Sequence, residues 1–397
     1  MMLTSAIEMR SKRMNAPQAA DWDPRSQDVL DDQIAAYDVM RKRCPVAHSD
    51  YLWWSLFRHE DVMRVLQDAE TFSNAASNHL SIPNAMDPPE HTPYRQIVER
   101  YFGAEQMAAF EPVCQRITDA LVSGQRRGEA FELMTTFAQP FALRIQCAFM
   151  GWPDTLHEPL REWIDKNHRA TRAGDRSAMA QIAVEFDGHI RQQLVVRRDA
   201  GDDAADDVTH RLLQEHIHGR PLSDEEIVSI VRNWTVGELG TIAASVGILV
   251  HYLATHAALQ AELRRQPDDL GAAIDEILRL HAPLIANRRI TTRPVEIGGR
   301  RLAAGDRLTL IWAAANRDDT VFGGPEAFDP ERHRDNNLLY GAGVHVCPGA
   351  PLARLELRVL MQTLLAGTSD IRLASDPPPQ RAAFPASGFS SLPVCFQ

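Results

Sequence analysis

The chain has 397 residues, of which 44% are hydrophobic and 24% are charged, and its formal net charge at pH 7 is −11. This is the balance of an ordinary globular protein, and the acidic surplus argues against nonspecific binding to nucleic acid. Because single hydrophobic cores rarely grow past about 250–300 residues, one fold of this length needs something central to pack around.

The amino terminus predicts neither a secretion signal nor a membrane anchor. Residues Met1–Ala20 contain charged side chains and no apolar core, so we expect a flexible segment without membrane association. The five cysteines are odd in number, widely spaced and free of any C-x-x-C pair. That pattern favours reduced thiols in a cytoplasmic protein.

Helical periodicity dominates from about Glu99 to Leu280. Strand-like segments lie near Trp53–Leu56, Val295–Ile297, Arg307–Ile311 and Leu392–Phe396. The composition shows no linker that would divide the chain. We therefore predict a single domain over residues 1–397 that is mainly α with small peripheral β-sheets.

A proline-rich segment opens one of the early helices. It reads D-P-P-E-H-T-P-Y-R over Asp87–Arg95, and prolines are favoured in a first helical turn. His91 and Arg95 are four residues apart and so share a helix face. They could hold a buried anion, or they could be exposed surface charges.

The clearest helix begins at a capping box. Ser223 and Glu226 have the spacing at which each side chain binds the other residue's backbone N–H. The following residues, Ile227–Leu253, are apolar almost all round. A helix of this kind is buried inside a large protein.

Two glycines, Gly237 and Gly240, interrupt this helix beside Glu238 and Thr241. Each glycine costs about 1 kcal/mol relative to alanine, and together they predict a local opening of the helix. Thr241 could orient water for proton transfer or could bond back to a helix carbonyl. Glu238 could feed protons or could be a buried acid paired with an arginine or histidine.

A glycine-rich loop near the carboxyl end contains Cys347. It reads Y-G-A-G-V-H-V-C-P-G-A-P-L-A over Tyr340–Ala353, and a helix-forming segment follows. Glycines allow the backbone to approach a large flat group, and a thiolate is favoured where a helix begins. Taken alone, Cys347 could instead be a buried structural cysteine.

These segments resemble motifs of the cytochrome P-450 family, in the family's order. The cysteine loop matches F-G-x-G-x-H-x-C-x-G-x-x-L-A, with Tyr340 in place of the usual phenylalanine. The resemblance implies the P-450 fold, with haem b buried between the long helix and the cysteine loop with its helix. It implies that Cys347 ligates the iron and that the other cofactor-binding residues are His91, Arg95, Arg289, His345 and Gly349.

Two details of the resemblance leave alternatives. The spacing from the family's E-x-x-R motif, Glu276–Arg279, points to Arg288 as a propionate ligand, whereas the register of the following strand favours Arg289. Arg332, in Phe328–Arg332, resembles the third member of the family's buried charge triad with Glu276 and Arg279.

The long helix departs from the family's acid–alcohol pattern. If Thr241 is the alcohol, Gly240 stands where the acid should be, and Glu238 occupies the usual glycine position. The resemblance still implies catalytic roles for Thr241 and Glu238. The stretch Arg232–Thr241 is similar to a bacterial branch with thiocarbamate-degrading and reductase-fused members.

The implied activity is that of a monooxygenase which inserts one atom of dioxygen into a small organic substrate. No flavin or iron–sulfur segment is present, so a ferredoxin or flavodoxin-type donor and its reductase would supply electrons, with Arg354 and Arg358 as a candidate docking patch. The implied substrate wall has no arginine or lysine, which favours a neutral, apolar substrate. It comprises Val236, Gly237, Ile285, Ala286 and Phe389.

Two other functions compete with this interpretation. A peroxide-driven fatty-acid peroxygenase would carry an Arg-Pro pair where this chain has Gly240 and Thr241. A non-catalytic haem carrier or sensor would have no need of Thr241 within a glycine-flanked segment.

Overall fold

A computed structural model describes residues 20–76 and 80–397 and confirms a mainly α fold with small sheets. Apart from Ala20, the segment expected to be flexible lies outside these residues. The helices, in chain order, are α1 Gln27–Asp31, α2 Gln33–Arg43, α3 His59–Gln67, α4 His91–Arg100, α5 Ala104–Ser123, α6 Gln139–Met150, α7 His157–Ala173, α8 Arg176–Ala200, α9 Val208–Leu213, α10 Asp224–Thr255, α11 Ala257–Arg265, α12 Leu270–His281, α13 Trp312–Ala315, α14 Asp319–Phe322, α15 Pro330–His333 and α16 Ala350–Gly367.

The strands form small sheets around this helical body. They are β1 Val46–Ser49, β2 Trp53–Leu56, β3 Phe72–Ser73, β4 Ala130–Glu132, β5 His216–Ile217, β6 Arg220–Pro221, β7 Ala286–Thr291, β8 Val295–Ile297, β9 Arg300–Leu302, β10 Arg307–Ile311, β11 Ile371–Leu373, β12 Gln380–Arg381, β13 Phe389–Ser391 and β14 Pro393–Phe396. A five-stranded sheet has the order β1-β2-β10-β7-β3, in which β10 pairs with β2 in parallel. A three-stranded sheet has the order β11-β14-β4, and the pairs β12-β13, β5-β6 and β8-β9 stand apart.

Helix α10 is the central element. It begins at the predicted capping box, with both Ser223 and Glu226 hydrogen bonds present, and it packs against α6, α8, α12 and α16. Its length and composition would suffice to cross a membrane, but most of its apolar residues are buried in the core. It is therefore the core helix that the apolar sequence predicts.

The predicted opening of α10 is wrong. The helix is continuous from Asp224 to Thr255, through both Gly237 and Gly240. The neighbouring helices hold it on several sides, and this packing offsets the low helix propensity of the two glycines.

Candidate active site

The cysteine loop is shaped by glycine and ends at the start of α16. Gly343 has a φ of 70°, and a Cβ there would collide with the backbone carbonyl of Leu66. The Cys347 N–H donates to the Tyr340 carbonyl over 2.8 Å. The loop therefore fixes the cysteine in position immediately before the helix.

The Cys347 sulfur faces an accessible space and accepts backbone hydrogen bonds. Burial raises the pKa of its thiol, while N–H groups of Gly349 and Ala350 and the charge of Arg95 act in the opposite direction. Part of the surface of Cys347 remains accessible, although protein atoms lie around most of the residue. Such a sulfur can ligate a metal, and a bound metal would lower the pKa of the thiol.

Four side chains that can carry positive charge gather near this loop. His91 and Arg95 come from α4, Arg289 from β7 and His345 from the loop, and the two imidazole rings lie 4.4 Å apart between centroids. The Nε2 atoms of His91 and His345 are buried without a hydrogen-bond partner. Burial and the charges of His91 and Arg289 lower the pKa of His345 to about 3.

Nearby acidic groups already have partners. The Asp87 carboxylate accepts hydrogen bonds from Ser73 and Asn74, and Glu99 pairs with Arg95 at 2.7 Å. Burial lowers the pKa of Arg289 to about 10, so the field in the cluster is positive. Because buried cations need an anionic partner, these residues fit a cofactor with carboxylates, such as the two propionates of a haem.

The structure separates the two candidate arginines. Arg289 is only 4% exposed and acts on His345 electrostatically, whereas Arg288 is exposed on the other face of β7. This alternation follows from the two-residue period of a strand. The preference for Arg289 over Arg288 is thus consistent with the fold.

The Thr241 hydroxyl forms a hydrogen bond to a carbonyl of its own helix, which is one of the two roles considered for it from the sequence. Its Oγ1 donates to the Gly237 carbonyl over 2.6 Å. The residue remains half-buried, and its oxygen can still accept a hydrogen bond. The hydroxyl is therefore held in a defined orientation within the helix.

Glu238 contacts a second acid. The sequence had allowed a buried acid paired with an arginine or a histidine, and neither is its partner. Its partner is Glu356 on α16, which the sequence analysis did not single out. Both oxygens of Glu356 and Oε1 of Glu238 are buried with no other partner. Burial raises the pKa of both carboxyls, and Glu238 reaches about 7. Two carboxyls in contact cannot both ionise in such a site, so they share a proton.

The buried charge triad contains His333, and the prediction of Arg332 is wrong. Arg279 donates to both Glu276 oxygens at 2.7 and 2.8 Å, and His333 Nδ1 lies 2.6 Å from Glu276 Oε1. Arg332 is exposed. Helix α15 begins after the Asp329 cap. With this start, His333 faces Glu276 and the preceding residue, Arg332, does not.

The residues of the predicted substrate wall differ in their exposure. Val236 and Gly237 are exposed in the middle of an otherwise buried helix, as expected of residues that face a cavity, and Ala286 is half-buried. Ile285 is 1% exposed and packs in the cluster around Tyr37 and Phe57. It has no accessible surface, so its assignment to the wall is wrong.

Phe389 packs on the carboxyl-terminal part of α10. Its ring centroid lies 4.5 Å from that of His251, and its side chain lies close to Gly247. The residue is 9% exposed and can line the space beside the helix.

The candidate docking arginines are both paired. Arg354 donates to Asp275 at 2.9 Å and lies over the Tyr340 ring, and Arg358 pairs with Glu111 at 2.8 Å. Each remains partly exposed. The acids offset much of the positive charge that would attract an acidic partner.

Comparisons with known proteins give a consistent result. A family model described as Cytochrome P450 matches residues 152–367. The chain is 31% identical to an erythromycin C-12 hydroxylase of Saccharopolyspora erythraea, over 84% of this chain and 87% of the relative. It is 30% identical to a nocardicin C N-oxygenase of Nocardia uniformis, over 93% and 94%.

Solved structures agree with the sequence relatives. The open form of cytochrome P450 EryK from S. erythraea superposes with a TM-score of 0.83 at 28% identity, covering 91% of this chain and 95% of that one. Cytochrome P450 TbtJ1 gives a TM-score of 0.83 at 28% identity, covering 96% and 100%.

Proposed function

The chain belongs to the cytochrome P450 family and is a P450 monooxygenase, and from this premise we propose its substrate class, cofactor and residue roles. It inserts one oxygen atom from dioxygen into a small apolar organic molecule, by hydroxylation or by O- or N-dealkylation. The family implies a haem–thiolate cofactor, and we propose haem b. We place the protein in the cytoplasm.

The observation that carries the cofactor proposal is that Cys347 shares its site with Arg95, Arg289 and two imidazoles whose buried Nε2 atoms have no hydrogen-bond partner. Cys347 would ligate the haem iron, with Gly349 leaving room at the sulfur, and His91, Arg95, Arg289 and His345 would bind the propionates. When bound, the haem supplies the iron at which dioxygen is activated, and a thiolate ligand favours cleavage of the O–O bond.

Proton delivery is the proposed task of two residues on α10. The Glu238–Glu356 pair holds a proton at neutral pH because burial disfavours two charges. Glu238 is one helical turn from Thr241, whose hydroxyl can orient a water molecule or accept its hydrogen bond. Glu238 thereby replaces the acid that is missing at Gly240.

The remaining assignments concern the substrate and the electron donor. Val236, Gly237 and Phe389 are proposed to contact an apolar substrate. A separate ferredoxin or flavodoxin-type protein with its reductase is proposed to supply two electrons in turn. The Thr241 and Glu238 pair disfavours the peroxygenase alternative, and a carrier or sensor would leave both residues without a task.

The decisive experiment is the absorption spectrum of the reduced, carbon-monoxide-bound protein, with Cys347→Ala compared with Cys395→Ala. We expect the red-shifted Soret band of thiolate-ligated haem in the wild type and in C395A, and its loss in C347A. A histidine-like spectrum, or an unchanged band in C347A, would exclude Cys347 as the ligand. Product formation that needs dioxygen and an electron donor distinguishes the monooxygenase from a carrier.

A further inference from the structure

The acid pair of Glu238 and Glu356, where α10 meets α16, has no counter-ion. Glu356 is 0% exposed, and both of its oxygens and Oε1 of Glu238 are buried without another partner. Three weak acids share the field of the pair, namely the thiols of Cys114 and Cys347 and the phenol of Tyr340. Within residues 20–76 and 80–397, no arginine, lysine or histidine acts on either carboxyl.

The nearest bases are engaged elsewhere. Arg358 acts on the Cys114 thiol and pairs with Glu111 at 2.8 Å. Arg95 acts on the Cys347 thiol and pairs with Glu99 at 2.7 Å. Each of these glutamates is about half-exposed. An additional negative charge at the acid pair would therefore be buried without compensation, which is unfavourable.

The pair lies within reach of both parts of the proposed site. Glu238 is one helical turn from Thr241 on α10, and its charge acts on the Cys347 sulfur. Charges inside a protein are screened by salt much less than charges at its surface. Glu238 therefore responds to the charge at the proposed iron ligand and lies beside the hydroxyl proposed to orient water.

The charge of the acid pair changes near neutral pH. Burial raises the pKa of both carboxyls, and that of Glu238 to about 7. The pair therefore holds two protons below about pH 7, and above it holds one proton and carries one negative charge. Another negative charge nearby favours the neutral form of the pair and moves this change to higher pH.

We propose that the Glu238–Glu356 pair takes up one proton when one electron enters the bound haem. The electron comes from the separate donor protein and lowers the charge at the iron by one. The proton comes from water and binds the ionised Glu238 carboxylate, so the net charge of the buried region is unchanged. The proposal rests on the proposed haem–thiolate cofactor and refines the role of Glu238, since each reduction then leaves a proton one turn from Thr241.

The test is the midpoint potential of the haem-loaded protein, measured by spectroelectrochemistry between pH 5.5 and 9. We expect the electron to raise the proton affinity of the pair about tenfold, the size of one interaction between two charges in a buried site. The potential should be constant below about pH 7, fall between about pH 7 and 8, and then be constant again. A tenfold ratio corresponds to a total fall of about 59 mV for one electron.

Infrared difference spectroscopy gives a second readout that does not depend on the potential. At pH 7.5, reduction should produce the carbonyl band of a protonated carboxyl, and this band should shift in D₂O. A carboxyl with only a structural role would produce no such band, because its proton content would be the same in both redox states.

Two variants of the pair and one control locate the effect. Glu238→Gln should abolish both the fall in potential and the infrared band, because burial keeps the remaining Glu356 protonated. Glu356→Gln provides a neutral amide donor to Glu238, which lowers the pKa of Glu238 and should move the fall to lower pH. Glu105→Gln, at an exposed residue of α5, should behave as the wild type.

A wild-type potential that is constant from pH 6 to 9 would overturn the proposal. So would a fall that persists in E238Q, which would assign the proton to another group, or a fall at the wild-type pH in E356Q, which keeps the proposal testable if E238Q does not bind haem. The carbon-monoxide spectrum is recorded on each preparation. A normal thiolate spectrum with a constant potential refutes this inference alone, whereas loss of the thiolate spectrum in the wild type refutes the proposed function.

Discussion

At the scale of single residues, the site combines groups that would be unfavourable without a ligand. Arg95 and Arg289 concentrate positive charge in a buried region, and the buried Nε2 atoms of His91 and His345 lack partners. Leaving a buried polar group unpaired costs about 1–3 kcal/mol. The same arrangement becomes favourable when an anionic cofactor is present, so these residues contribute to cofactor retention more than to the stability of the apoprotein.

Replacing Arg289 with glutamine should therefore accelerate haem loss. We expect about a tenfold or greater increase, because a hydrogen bond to a charged group contributes about 1.5–3 kcal/mol. The rate is measured by transfer of haem to excess apomyoglobin. Arg288→Gln is the matched control and should leave the rate within about twofold of the wild type. Equal acceleration in both variants would contradict the assignment of Arg289.

The acid pair makes a separate prediction about pH. Burial raises the pKa of Glu238 to about 7, above the value of about 4.3 for a free glutamate. Its contribution to stability is fully present below pH 4.3 and is lost as pH rises through about 7. Glu356→Gln removes the second acid, and it should flatten this part of the pH dependence.

The measurement is the midpoint of urea unfolding between pH 5 and 8. The exposed Glu105 on α5 provides a control, since Glu105→Gln should retain the wild-type slope. If E356Q retains that slope as well, the two carboxyls do not share a proton.

At the scale of elements, the buried triad joins α12 to the segment around α15. Glu276 accepts from Arg279 on its own helix and from the Asp329 N–H, and it contacts His333 in the next layer. The Arg279 guanidinium also lies over the Phe322 ring, 4.3 Å from its centroid. The triad therefore fixes the segment that leads into the cysteine loop.

His333→Ala should lower the free energy of unfolding by about 1–3 kcal/mol, because it leaves a buried carboxylate oxygen with one partner fewer. Arg332→Ala should change it by no more than about 0.5 kcal/mol, as is usual for an exposed residue. Chemical denaturation of both variants distinguishes them. A larger effect in R332A would restore the assignment made from the sequence.

At the scale of the whole molecule, several histidines are held neutral inside the fold. Burial is the main cause for His251, His281 and His345, whose pKa values fall to about 4, 4 and 3. A free histidine has a pKa of about 6.5, so in this range the unfolded chain binds more protons than the folded one. The stability from these groups is present above pH 6.5 and is lost as pH falls towards 4.

His281→Gln should reduce this acid sensitivity. The variant lacks one of the neutral buried imidazoles, so its free energy of unfolding should fall less steeply between pH 6.5 and 4. Denaturant titrations at several pH values provide the slope. His216→Gln, at an exposed strand residue, should behave as the wild type. An unchanged slope in H281Q would show that His281 does not titrate with unfolding.

Much of the site could be predicted because its signals are local. The capping box of α10, the helix start at His91 and the glycine-shaped loop before Cys347 each depend on a few consecutive residues. That Arg288 and Arg289 lie on opposite faces of β7 follows from strand alternation, which is also a local property. Such features need only backbone geometry and near neighbours, so the sequence by itself determined them and, with the order of the motifs, the family.

The tertiary structure decided what depends on packing between distant segments. The third member of the triad is His333, and not the predicted Arg332, because the start of α15 shifts the contact with Glu276 by one residue. Glu356 meets Glu238 only because α16 packs against α10, and the same packing keeps α10 continuous through its glycines. The small cavity lined by His251, His281 and Arg381 brings together residues that are up to 130 positions apart. No local pattern marks such contacts, because they depend on how whole elements are placed against one another.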